Sequence, residues 1–316
     1  MPDQILISIC IPAYKGIDFL QRLLDSITIQ TFKNFEVVVT DDSPDETVNT
    51  LCLKYQNSFR LQYYRNTTTL GTPANWNEAI RKAEGEWIKL MHDDDWFSDE
   101  HSLESFAEII ANDRSIAFIF SAYKNVYLNP SRTKNIFASR FWIRKLDKNP
   151  AVLFSGNFIG PPSVVLHKKN LDFLYDDRMK WLVDIDFYIR YLSVGRSSYI
   201  HKTLVNVGIS DRQVTKNAFR NRTIEIPESF LLLEKTGVKI LKNIAVFDAW
   251  WRLIRNLGIK NEENIRQSGY DGNIPSKITG MIRAQQKIPA QWLKIGPISK
   301  ICMFACFLFA KGNPGD

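Results

Sequence analysis

Cysteine is scarce in this 316-residue chain, and Cys10, Cys52, Cys302 and Cys306 form no C-x-x-C pair or metal-ligand cluster. That excludes a disulfide scaffold and a zinc ribbon. No cleavable leader precedes Ile5, so a reducing, cytoplasmic setting is expected. No G-x-G-x-x-G follows the first apolar run and no G-x-x-x-x-G-K-S/T occurs anywhere. Neither a dinucleotide site nor a P-loop is therefore indicated, and any phosphate must be held by other means. Long apolar runs are missing too: Ile301 to Ala310 is ten residues, against the about 20 that cross a bilayer. Most of the chain also lacks a charge bias, since residues 1–220 hold 27 Lys and Arg against 26 Asp and Glu. The net +7 lies mainly in residues 221–316, with 14 against 8. So modest an excess, without a recognisable binding motif, argues against nucleic acid.

What is present is a hydrophobic content of 45%, ample for a packed core. Ile5 to Pro12 is nearly unbroken aliphatic and β-branched sequence, the pattern of a strand buried on both faces, and is expected to stop at Pro12. Leu20, Leu23, Leu24 and Ile27 recur at helical spacing before a second apolar run, Phe35 to Val39. A third strand is expected at Leu61–Tyr64. Thr72 and Pro73 read as the cap and first residue of a helix to about Ala83, ended by Gly85, and Trp87–Met91 as the fourth strand. Alternating strands and helices indicate an open α/β sheet, whose ligands bind outside the carboxyl ends of the strands. Three polar clusters fall there and are expected to converge: Pro12-Ala13-Tyr14, Asp41-Asp42 and Asp93-Asp94-Asp95.

Three consecutive carboxylates between apolar neighbours repel one another. Hard oxygen ligands suit magnesium or manganese, which would relieve the crowding. Taken alone, the run is better accounted for by a plain acidic turn followed by a helix cap, because acidic turns are common.

In register, the segments Ile7–Tyr14, Val37–Ser43 and Gly85–Asp95, with Asn75-Trp76-Asn77-Glu78-Ala79 between them, resemble the ordered motifs of family 2 glycosyltransferases. The resemblance covers about the first 215 residues. It implies an α/β GT-A fold, an open mixed sheet flanked by helices, with a catalytic domain over 1–220 and a small helical region over 221–316. By it, Pro12, Ala13 and Tyr14 would line a base pocket, and Asp41 would accept an imide N–H from uracil or thymine, a role that suits an acceptor-only carboxylate. Asp42 reads as a capping residue. Asp94 takes the metal position, with Asp95 beside it, and Asp93 would face the ribose or diphosphate. His92 stands where the family usually has the first Asp of Asp-x-Asp, and a lone His is more often a structural residue.

Asp184 matches the family's catalytic base, although Val183 replaces the Glu before it. Asp186, two residues on, cannot share its helical face and reads as a surface ion pair with Arg190. Gly156–Ser163 resembles the acceptor-side loop, and Gly208–Thr215 the closing segment, where Ser210 replaces a frequent His. His201 reads as a strand end. The aromatics and basic residues of Ser121–Asn149 read as an insertion packed on the sheet. Farther on, Ile224–Leu241 and Ala245–Leu257 have helical spacing. The run Ile301–Ala310, near Trp292, Lys294 and Lys300, suits either a core helix or one lying in a membrane interface.

The expected activity is an inverting, Mn2+- or Mg2+-dependent transfer of a sugar from a nucleotide-sugar donor, UDP or dTDP favoured, to a hydroxyl of a glycan or lipid-linked acceptor. Polysaccharide assembly at the cytoplasmic membrane face would be the setting, with peripheral membrane contact. Val183 and Ser210 keep open a non-catalytic nucleotide-sugar binding protein. A nucleotidyltransferase with the same layout is the third reading.

Overall fold

The structure, a computed structural model, describes residues 5–128, 131–209 and 219–312. The chain forms two compact units. The first comprises Met1–Lys148, Phe158–Arg178 and Asp186–Gln213; the second comprises Asn149–Asn157, Met179–Ile185 and Val214–Asp316.

The first unit is built on one sheet. Its strands are β1 (Ile7–Ala13), β2 (Phe35–Asp41), β3 (Leu61–Arg65), β4 (Trp87–Leu90), β5 (Trp96–Phe97), β6 (Ile116–Leu128), β7 (Ser131–Ile136), β8 (Val165–Lys168) and β9 (Arg196–Ile209). Their order is β3-β2-β1-β4-β8-β6-β9-β5, with β7 on β6. Strands β1 to β4 are parallel, and β8 enters antiparallel between β4 and β6. The expected mixed α/β sheet is therefore present. Strands β2 and β4 are buried throughout, as their aliphatic sequences require. Helix α1 (Ile17–Thr28) buries Leu20, Leu23, Leu24 and Ile27, each worth about 1.5–3 kcal/mol relative to exposure. The other helices are α2 (Thr47–Leu53), α3 (Ala74–Lys82), α4 (Ser102–Asn112), α5 (Arg140–Lys148) and α6 (Val183–Leu192).

Several local expectations shift. Strand β1 runs through Pro12 to Ala13, and β2 reaches Asp41, because Ala13 pairs with Asp41 and Asp41 with Arg65. Pairing with β4 has already ended at Cys10, so Pro12 faces a free edge where a missing N–H is tolerated. Helix α3 starts at Ala74 with no side-chain cap. Thr72 is replaced in that role by the Gly71 carbonyl, which accepts from Asn75 N at 2.9 Å. The helix runs to Lys82 with Ala83 as its C-cap, close to the expected end at about Ala83. His201 lies within β9 and does not end it; its ring sits 4.7 Å from that of Phe137. The stretch Ser121–Asn149 holds the β6–β7 hairpin and α5.

The second unit is helical: α7 (Arg222–Thr236), α8 (Ile244–Asn256), α9 (Glu262–Gln267), α10 (Ser276–Gln286), α11 (Ala290–Leu293) and α12 (Gly296–Gly312). Its core gathers Phe230, Phe247, Trp250, Trp251 and Tyr270, with Phe230 stacked on Tyr270 at 4.0 Å. The helix expected over Ile224–Leu241 is two pieces, broken at Gly237, whose φ is +83°. Ala151 is buried with this core, and Arg252 Nη2 donates to the Ser155 carbonyl at 2.9 Å, so the 149–157 segment belongs here.

Candidate active site

The three polar clusters at the strand ends are joined by hydrogen bonds. After β1 the chain turns through Lys15 and Gly16, both at positive φ. Lys15 N donates to Ser43 Oγ at 2.7 Å and Asp42 N to the Ala13 carbonyl at 3.0 Å, tying the ends of β1 and β2 together. The Tyr14 N–H donates to the Asp93 carboxylate. A Cβ on Gly16 would come within 3.3 Å of Asp93 Oδ2, so the turn closes tightly over this side chain. The Tyr14 ring is exposed, with Lys15 Nζ 5.0 Å from its centroid. Pro12 and Asp93 are partly exposed, whereas the side chains of Ala13 and Asp41 are buried.

Asp41 accepts from Ser43 N and from the Tyr63 hydroxyl, each at 2.8 Å. Asp42 accepts from Asn66 Nδ2 (2.8 Å), Leu70 N (3.0 Å) and Gly71 N (2.8 Å). It anchors the loop before α3 and caps no helix. The Asn75-Trp76-Asn77 motif locks α3 to the same region. Asn75 Nδ2 donates to the Thr40 carbonyl at 3.1 Å, and Asn77 exchanges hydrogen bonds with the backbone of Tyr175 at 2.8 and 2.9 Å. The Trp76 ring lies 4.8 Å from that of His92.

Beyond β4, one ligand atom from each of His92, Asp94 and Asp95 lies within 4.8 Å of the others, and Asp93 stands outside this group. Burial, then the charge of Asp94, pushes the Asp93 carboxyl up to about 7. The same two causes hold Asp95 well above the usual carboxylate range, against donors from Ser163 and Gly208 N and the charge of Lys89. Gly208 N reaches Asp95 Oδ1 at 3.0 Å. A Cβ on Gly208 would meet the Asp94 carbonyl oxygen at 2.3 Å, so only glycine fits there. Burial pushes the His92 imidazole down to about 4, leaving it neutral at physiological pH, as metal ligation requires. Its Nε2 is buried with no hydrogen-bond partner among the described residues. Two crowded carboxylates and an orphaned imidazole nitrogen fit a divalent cation of the manganese or magnesium kind.

Sequence reading missed the support beneath this cluster. Lys89 is fully buried in β4; its Nζ donates to the Ser163 carbonyl and, at 3.3 Å, to that of Val165. Ser163 Oγ accepts from His92 N at 3.0 Å. A lysine inside a strand buried on both faces was the available signal, because such a charge demands partners.

The opening of α6 is grouped with the second unit, and there Asp184 is partly buried with no hydrogen bond to its carboxylate among the described residues. Burial alone pushes its carboxyl up to about 7. The backbone leading into this turn is held by Glu228 of α7, which accepts from Lys180 N, Trp181 N and Leu182 N, each at 2.8 Å. Nothing in the sequence marked Glu228, 44 residues beyond Asp184. Asp186 pairs with Arg190 as expected, but not at the surface. Its side chain is fully buried, it accepts from Arg190 Nε (2.8 Å), and its Oδ2 lies 2.7 Å from Arg190 Nη2. Helical spacing separated the two aspartates correctly without telling which face meets solvent. Ser210 and the segment to Thr215 lie outside the described residues.

An uncharacterised glycosyltransferase of Rickettsia typhi is 25% identical over 224 residues, 67% of each chain. S. aureus TarS 1–349 in complex with UDP-GlcNAc has a TM-score of 0.61 at 18% identity, covering 98% of this chain and 92% of that one. The mannosyltransferase PcManGT of Pyrobaculum calidifontis, in complex with GDP-Man and Mn2+, gives 0.52 at 14%, covering 96% and 86%. The mixed sheet with its flanking helices is the GT-A fold of these neighbours. The model for glycosyl transferase family 2 matches residues 8–172, just over half of the sequence, and the chain belongs to that family.

Proposed function

We propose that the protein is an inverting glycosyltransferase that moves a sugar from a nucleotide diphosphate donor to a hydroxyl of a glycan or lipid-linked acceptor. The observation that carries this is the cluster of His92, Asp94 and Asp95 at the carboxyl end of β4, with a buried imidazole nitrogen that no group among the described residues satisfies. A divalent cation held there by Asp94, Asp95 and His92 would neutralise charge on the diphosphate. The neighbours' complexes with UDP-GlcNAc and with GDP-Man and Mn2+ support a nucleotide-sugar donor and a metal of this class.

This chain's own residues supply the rest. Pro12, Ala13 and the exposed Tyr14 line the base, and Asp41 accepts an imide N–H, which favours UDP or dTDP. Asp93, tied to the turn after β1, faces the ribose or diphosphate. Asp184 takes the proton of the acceptor hydroxyl; that oxygen bonds to the anomeric carbon as the bond to the diphosphate breaks, nucleoside diphosphate leaves, and the anomeric configuration inverts. A carboxylate held near 7 suits a general base at neutral pH. Polysaccharide assembly is the setting this reading implies.

The test is a donor panel of UDP-, dTDP- and GDP-sugars with and without manganese, read for nucleoside diphosphate and for the anomeric configuration of the product. Pyrophosphate release would make the protein a nucleotidyltransferase. Saturable donor binding without turnover, under any acceptor, would make it a binding protein.

A further inference from the structure

The last helix of the second unit, α12, has two apolar faces and only one core. Its inner face is anchored. Met303 and Ser299 are buried; Ser299 Oγ accepts from Trp251 Nε1 at 3.0 Å and Arg255 Nη1 at 2.9 Å, and Phe307 lies 5.2 Å from Phe247. The outer face carries Ile301, Phe304 and Leu308 at helical spacing, with Phe309 beside them, all exposed. Ile301 is 71% and Phe309 82% exposed, values that cost a water-facing helix and call for an occupant. Exposed Trp292 and Ile295 continue the apolar surface just before the helix.

Charge identifies the occupant. Between Asp271 and Asp316 the sequence has no acidic residue and six Lys and Arg. Lys294 and Lys300, both exposed, flank the apolar residues. No described helix is long and apolar enough to cross a membrane. A fixed helix with an aromatic and aliphatic outer stripe, an indole at its edge and flanking lysines matches a bilayer surface bearing anionic headgroups, into which the stripe inserts while the lysines remain at the phosphates.

We propose that the outer face of α12, with Trp292, Lys294 and Lys300, docks the protein on an anionic lipid bilayer. This surface is independent of the transfer chemistry. Both tested pairs, Phe304→Glu with Phe309→Glu and Lys294→Glu with Lys300→Glu, change exposed side chains and leave the anchored face alone. The full chain is sedimented with vesicles of phosphatidylcholine alone and with added phosphatidylglycerol. The expected result is binding to the mixed vesicles that falls roughly tenfold or more in each double variant and with rising salt, at an unchanged thermal melt. Light scattering of the same proteins tests a second copy of the chain as occupant. No sedimentation of the wild type, equal sedimentation of the Phe304→Glu, Phe309→Glu variant, or a wild-type dimer that this variant dissociates without vesicle binding would each overturn the proposal.

Discussion

Two acidic turns flank β1 in the same sheet, and they resolve their charge in opposite ways. At the end of β2, Asp41 and Asp42 are surrounded by donors: Ser43 N and the Tyr63 hydroxyl for the first, Asn66 Nδ2 and the amides of Leu70 and Gly71 for the second. Beyond β4, burial and the charge of Asp94 raise Asp93 and Asp95, and a neighbouring imidazole nitrogen has no hydrogen-bond partner among the described residues. In the first turn donors offset the carboxylate charge; in the second, donors from Tyr14, Ser163 and Gly208 leave Asp93 and Asp95 raised. The difference teaches that an acidic run at a strand end signals a cation where burial and mutual repulsion outweigh the donors the fold supplies. The same contrast recurs on α6, where Asp186 has Arg190 and Asp184 has no hydrogen-bond partner for its carboxylate among the described residues.

The comparison is broken most severely at Asp184. If an under-partnered carboxylate is the reactive one, Asp184→Asn should lower kcat by about 10²- to 10⁴-fold with a nearly unchanged donor Kd. Wild-type kcat should climb as pH rises through about 7, since the base works deprotonated. The stability effect has the opposite sign. The folded chain holds this proton more tightly than the unfolded chain, so Asp184 subtracts stability as pH rises from about 4 toward 7. Asp184→Asn should therefore melt higher than wild type at pH 8. A lower melt, or a loss of activity under tenfold, would return Asp184 to a structural role.

Asp186→Asn should do the reverse. Breaking a buried pair costs about 3–5 kcal/mol, so the variant should lose stability first, and retain turnover at temperatures where it is folded. Chemical denaturation beside single-turnover kinetics separates the two. Glu228→Gln lies between them: weaker acceptance of the amides at 180–182 should cost about 1–3 kcal/mol, and kcat should fall more than donor affinity if Glu228 positions the turn that carries Asp184.

Asp94→Asn probes the cation-deficient turn directly. Removing one carboxylate should weaken manganese-dependent nucleotide binding by at least the roughly 10- to 100-fold that outer-shell changes produce, with the melt in the absence of metal unchanged or raised because a repulsion is gone. Calorimetry showing the same manganese-dependent affinity would remove Asp94 from the site.

How much of this was legible depends on the range of the interaction. The strand ends and the order of the motifs were readable because burial on both faces leaves an unmistakable aliphatic run, and the polar residues that interrupt it mark the crevice. The burial of Asp186 was not readable, since periodicity gives the angle between side chains and not their environment. Nor could local sequence supply Glu228, Tyr63 or Ser163, whose partners lie far away along the chain. Lys89 was visible but passed over; a charge in the middle of a doubly buried strand should have prompted a search for its partners.

The smallest effect belongs to the satisfied turn, and it is the control on which the contrast depends. Asp42→Asn keeps an oxygen for Asn66 and Leu70 but places an amide opposite Gly71 N, which now bonds to Asp42 Oδ2 at 2.8 Å. One hydrogen bond lost from a network of three should cost about 1 kcal/mol, visible as a small shift in the denaturation midpoint with an unchanged slope. Manganese should neither rescue nor deepen that shift, because the oxygens of Asp42 already serve protein donors. If manganese instead stabilised the wild type and failed to stabilise Asp42→Asn, the turn after β2 would hold the cation, and the contrast drawn between the two acidic turns would be reversed.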